Sequence, residues 1–94
     1  MTISLTIKQS NSFKKSVKKL SKQQKLILDE QVRMLLIDPM LGQQKKGDLD
    51  FLRVHKFKCF SQEFLLGYMY EEGEFTLTLL KLGSHENFYR DMKK

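Results

Sequence analysis

His85 and Tyr89 stand four residues apart near the end of the chain, with Gly83-Ser84 before the histidine and Arg90 after the tyrosine. They follow the most apolar run of the sequence, Phe75 to Leu82. A second polar group lies upstream, where Arg53, His55, Lys56 and Lys58 interleave with Val54, Phe57 and Cys59. Imidazoles, a phenol and fixed cations are suited to phosphate chemistry without a metal. RNA breaks when a ribose 2′-hydroxyl attacks the adjacent phosphate. A protein assists by taking the 2′ proton, neutralising the phosphate and protonating the leaving 5′ oxygen. Histidine serves as acid or base because its ordinary pKa is near neutrality. Lysine and arginine stabilise the developing charge, and tyrosine hydrogen-bonds or stacks on a base. No metal or other cofactor is required.

Each of these residues also has a structural use. A histidine in a basic domain often serves packing alone. Lys56 and Lys58 on one strand face would guard an edge against aggregation. Phe88 and Tyr89 would anchor the end of the chain. On composition and spacing alone, RNA cleavage and the binding of nucleic acid or an acidic protein stand level. Other chemistries are disfavoured. Neither glycine-loop spacing for nucleotides is present. Two histidines thirty residues apart make a weak metal site. The single cysteine, Cys59, has no activating neighbours and reads as a packed strand residue.

The elements that must position these groups belong to one small domain, residues 1–94, with room for one core. No run approaches the ~18 apolar residues of a membrane span, and the N-terminus has no basic region followed by an apolar stretch. A single cysteine excludes an internal disulfide. These features point to the cytoplasm. The net charge of +6 is unevenly spread. Up to Lys46 there are ten Lys/Arg and three Asp/Glu, whereas the remainder carries seven against eight. Such a field attracts polyanions.

Thr2 to Ile7 alternates polar and apolar residues and predicts a strand with Ile3, Leu5 and Ile7 inward. Ser10-Asn11-Ser12 is cap material, and Phe13, Val17 and Leu20 recur at helical spacing. Ser21 and Gln24 have capping-box spacing, so a second helix starts at Ser21. Leu26, Ile27, Leu28, Val32, Met34, Leu35, Leu36 and Ile37 give it a broad apolar face. Asp38-Pro39 ends it. Met40 to Asp50 reads as a polar loop. Phe51–Phe60, Glu63–Tyr70 and Phe75–Leu82 read as strands of an antiparallel meander. Glu71-Glu72-Gly73-Glu74 is a turn built on its glycine. Glu86 to Met92 reads as a short helix or ordered tail. On the Phe51–Phe60 strand, alternation puts Leu52, Val54, Lys56 and Lys58 on one face and Arg53, His55, Phe57 and Cys59 on the other. The fold class is α+β: a first strand joining the meander and a helical hairpin covering one sheet face, with the other face open.

This order of residues resembles the RelE/ParE superfamily of toxins from type II bacterial toxin–antitoxin systems. The resemblance runs through the basic hairpin Phe13–Asp38, the loop Lys45-Lys46-Gly47-Asp48-Leu49, the strand Arg53-Val54-His55-Lys56-Phe57-Lys58, the strand ending Leu66-Gly67-Tyr68-Met69-Tyr70, and Leu82-Gly83-Ser84-His85-Glu86-Asn87-Phe88-Tyr89. The closing Gly-Ser-His with its aromatic looks like the YafQ branch, which cleaves messenger RNA on the ribosome. The resemblance implies that His85 is a catalytic histidine, that Lys56 and Lys58 support proton transfer and hold the phosphate, and that Tyr89 is the aromatic of the same motif. Arg53, His55 and Arg90 complete the phosphate-binding set. Lys14, Lys15, Lys18 and Lys19 meet ribosomal RNA. A cognate antitoxin, the ribosome and messenger RNA are the implied partners. ParE-type members share the fold and poison DNA gyrase instead, so fold does not decide between them. The chain departs from RelE at Leu65, where RelE has an arginine. The extra histidine and aspartate of the YafQ strand region are not plainly matched, and Lys56 occupies one such place.

Overall fold

The structure, a computed structural model, describes residues 5–85 and Phe88. Its elements run β1 (Thr6–Gln9), α1 (Asn11–Lys18), α2 (Lys22–Ile37), β2 (Gln43–Gln44), β3 (Arg53–Cys59), β4 (Gln62–Glu71) and β5 (Thr76–Ser84). One sheet forms in the order β1-β5-β4-β3-β2. The meander β3-β4-β5 is antiparallel, and β1 joins it parallel to β5. The two helices cover one sheet face, and the α+β two-layer architecture is the expected one.

The helix boundaries follow local chemistry. Ser10 caps α1, its hydroxyl accepting from Phe13 N–H at 3.0 Å and donating to the Leu80 carbonyl at 2.6 Å. One side chain thus satisfies a helix end and a strand carbonyl just beyond the last β1–β5 pair, Gln9 with Leu79. Ser10→Ala is expected to lower the unfolding free energy by about 2 kcal/mol in urea titration. Ser21 and Gln24 form the capping box at the start of α2, with both reciprocal bonds present. The helix stops at Ile37, immediately before Asp38-Pro39.

Several expectations change. Thr2, Ile3 and Ser4 lie outside the described residues, and β1 continues to Gln9. Ile7 is 41% exposed because β1 is an edge strand at the rim of the helical layer. The apolar face of α2 is narrower than its composition: Leu28 and Leu35 are buried, whereas Leu26, Met34 and Ile37 are exposed. The loop after Pro39 is not wholly irregular, since Gln43 and Gln44 pair with Val54 and Arg53. In the β4–β5 connection the left-handed residue is Phe75 (φ 49°), not Gly73. A short helical turn, Glu72–Glu74, precedes it and takes the place of a glycine-centred tight turn. The final element expected over Glu86 to Met92 lies outside the described residues except for Phe88.

Both sheet faces are packed. Beneath the helices, Phe13, Leu28 and Leu35 meet Phe57, Cys59, Phe64, Leu66, Tyr68, Leu77, Leu79 and Leu82. Burial pushes the Cys59 thiol pKa up, in keeping with a packing residue. The opposite face, expected to be open, carries a small cluster of Leu52, Val54, Leu65 and Phe88. Gly67 makes room for it, because a Cβ there would stand 2.7 Å from Cζ of Phe88 and 3.2 Å from Cδ1 of Leu52. The covered part of that face is its centre, which leaves the polar groups at one end.

Candidate functional site

An irregularity in β5 decides where the terminal histidine goes. Tyr68 pairs with Leu79, but the next residue back on β4, Gly67, pairs with Lys81. Leu80 is therefore an extra residue, a β-bulge. Upstream of it Leu77 and Leu79 point to the helices, and downstream Leu82 does so too. Strict alternation would have sent Lys81, Gly83 and residue 85 to the helical side. The bulge changes the parity and puts Gly83 on the other face, in a row with Leu65 and Lys56. In the next row Lys58 lies directly opposite Glu63. His85 follows Ser84, whose partner is Phe64, and so arrives beside Glu63.

Two hollows meet at His85. One, of about 480 Å3, has Lys45, His55, Lys56 and His85 as its titratable lining, with apolar walls from Met34, Leu41, Val54 and Leu65. It wraps the β3 edge beyond the two residues that pair with β2. The other, of about 290 Å3, is lined by Ser61, Gln62, Glu63, Ser84 and His85. Lys56, Lys58 and His85 are exposed, and Glu63 is half-buried. The structure thus brings His85, Lys56 and Lys58 to one end of one face. Tyr89 and Arg90 lie outside the described residues.

Arg53 and His55 are on the helix-covered side, as alternation predicts. Arg53 donates through Nη1 to the carbonyls of Gly42 at 2.8 Å and Met40 at 3.3 Å. The Tyr68 hydroxyl donates to the Pro39 carbonyl at 2.7 Å and accepts from Gly42 N–H at 2.8 Å. Burial raises its pKa despite that bond. These contacts pin residues 39–42 against the sheet. Only glycine fits at Gly42, since a Cβ would lie 2.7 Å from the phenol oxygen. The pinned segment delivers Leu41, Gln43 and Lys45 to the larger hollow. The arginine named for phosphate binding therefore holds the wall of the site.

His55 is 9% exposed, stacks on Phe57 with ring centres 5.9 Å apart, and has Nε2 2.7 Å from Oε1 of Gln31. Burial lowers its pKa from 6.5. The unfolded chain then binds the proton more readily than the folded one. The stabilising contribution of the neutral ring is full above 6.5 and is lost as pH falls towards the folded-state value. Urea midpoints measured across that range are expected to fall on acidification, with a shallower slope in His55→Gln.

Lys14, Lys15, Lys18 and Lys19 are exposed along α1 and at its C-cap, in the layer opposite Lys56 and Lys58. The sequence reasoning missed Lys45, Glu63, Gln31 and Tyr68. Tyr68 was detectable: a phenol within a buried strand must find hydrogen-bond partners. Glu63 needed the register. Among the described residues no cluster of three or more His, Cys, Asp or Glu is placed to hold a metal ion, and no helix is long and apolar enough to cross a membrane.

A helical hairpin on a five-stranded sheet, with lysines and a histidine gathered at one end, defines a small basic domain of the RelE-like fold. The sequence model described as "ParE-like toxin of type II bacterial toxin-antitoxin system" matches residues 7–93. The chain belongs to this ParE-like toxin family, within the RelE/ParE superfamily. Solved structures agree on the fold. An arginine-to-alanine double mutant of Escherichia coli toxin RelE in the free state superposes with TM-score 0.72 at 15% identity, covering 90% of this chain and 87% of that one. The toxin in the intact E. coli RelBE toxin–antitoxin complex gives 0.68 at 16%, covering 84% and 94%. The conserved hypothetical protein HP0892 from Helicobacter pylori gives 0.57 at 27%, covering 87% and 96%. No curated protein matches the sequence.

Proposed function

We propose that this toxin is a ribosome-dependent messenger-RNA endonuclease, held inactive by a cognate antitoxin. The observation that carries it is the β5 bulge, which presents His85 on the same face as Lys56 and Lys58 and beside a hollow that Lys56 shares. A scissile phosphate in that hollow meets ammonium groups that neutralise its developing charge. The 2′ oxygen loses its proton and bonds to phosphorus, the P–O5′ bond breaks, and the 5′ oxygen takes a proton. The products are a 2′,3′-cyclic phosphate and a 5′-hydroxyl. His85 carries one of the two proton transfers, and Tyr89 orients the nucleotide. Arg53 acts by fixing the loop wall, and the α1 lysines offer a separate basic surface to ribosomal RNA. The antitoxin as partner is supported by the family and by the RelBE complex among the similar structures.

Mapping transcript 5′ ends after brief induction tests this. New ends inside translated codons are expected. Intact messages together with stalled DNA supercoiling would establish the second reading, inhibition of DNA gyrase. That reading draws on the ParE-like family match.

A further inference from the structure

Two phenylalanines hold left-handed backbone, Phe75 at φ 49° and Phe60 at φ 60°. Bulky side chains rarely adopt this conformation. Phe75 is 45% exposed and lines a shallow groove with Leu5, Ile37 and Tyr70, so part of its ring has packing to set against the strain. The ring of Phe60 is 65% exposed. Phe60 and Ser61 are the two residues joining β3 to β4, between the last pair, Cys59 and Gln62. Glycine, asparagine or aspartate suits a positive φ in such a turn. Folding of this hairpin gives no reason for a strained phenyl ring in water. Such outliers cluster at functional sites.

The position relates Phe60 to the site. Lys58 is two residues earlier, about 7 Å along the strand. Ser61, the next residue, lines the hollow shared by Glu63 and His85. We propose that Phe60 is a stacking platform for a nucleobase next to the phosphate held by Lys56 and Lys58, its ligand being single-stranded RNA. The proposal rests on the RNA-cleaving reading of the site. An unstacked base offers its π face to an aromatic ring whatever its identity, so Phe60 adds grip on the strand and little sequence preference.

The test uses a message carrying 2-aminopurine, whose fluorescence is quenched by stacking. It is added as a free oligonucleotide and as a ribosome-bound codon, with a 2′-deoxy sugar at the scissile position. The wild-type protein is expected to quench in at least one setting. Phe60→Trp keeps the quenching. Phe60→Leu and Phe60→Gly lose it and bind about tenfold more weakly. Phe60→Gly is also expected to melt roughly 4–8 °C higher, because it relieves the backbone strain. Greater stability with weaker RNA binding separates a platform from a packing residue. Wild-type protein that quenches in neither setting, or Phe60→Gly that quenches like wild type, overturns the proposal. Intact all-ribose messages with Phe60-dependent quenching would overturn the nuclease reading and still support the platform.

Discussion

His85→Ala is expected to lower message cleavage by about a hundred- to ten-thousand-fold, the usual contribution of a positioned acid or base. Primer extension on a ribosome-bound message would measure it, with growth arrest as the cellular counterpart. The ring is exposed at the junction of two hollows, so its removal should change the urea midpoint far less than it changes cleavage. A loss of cleavage out of proportion to any loss of stability is what separates chemistry from folding. Lys56→Ala should also lower cleavage, because its ammonium lines the same hollow. Full growth arrest by both variants would sink the site.

Phe88→Ala should be costly for a different reason. Its ring is fully buried in the cluster with Leu52, Val54 and Leu65, fitted into the space that Gly67 leaves. Truncation of a buried phenylalanine costs about 3–5 kcal/mol through lost burial and the cavity left behind. Phe88 also holds the chain three residues beyond His85, so the substitution removes an anchor for the histidine. Urea unfolding and cleavage assays should fall together here. A variant with native stability would show that the cluster contributes little. Phe88→Leu keeps part of the packing and should fall between the two.

The parts of the fold readable from sequence were those set by local rules. The Ser21–Gln24 capping box and the Pro39 stop bracket α2 because each satisfies or forbids backbone geometry within a few residues. The mixed composition of β3 also gave its two faces correctly, with Phe57 and Cys59 under the helices and Leu52 and Val54 opposite. What escaped depends on pairing across the sheet. Strand β2 is two residues long and exists only because β3 offers an edge. Arg53 also fixes a loop, because Gly42 and Met40 present carbonyls to its Nη1, a contact that spacing along the chain does not show. Glu63 gained meaning only when the register set it opposite Lys58. The left-handed turn residues defeated composition outright, since Phe60 and Phe75 occupy conformations that suit glycine.

The bulge at Leu80 makes β5 two strands in one, joined at a phase break. Before it Leu77 and Leu79 face the helices, and after it the alternation restarts so that Leu82 faces them again and Gly83 lies on the opposite face. Loss of either Leu80 or Lys81 would close the bulge while leaving Leu79 against Tyr68 and Leu82 against Leu66. Loss of a residue between Leu82 and Ser84 would either turn His85 to the helices or bring Lys81 into the core. The break is thus where this strand can change length without exchanging its faces. Insertions and deletions in related toxins should collect there, and the histidine's orientation should survive them.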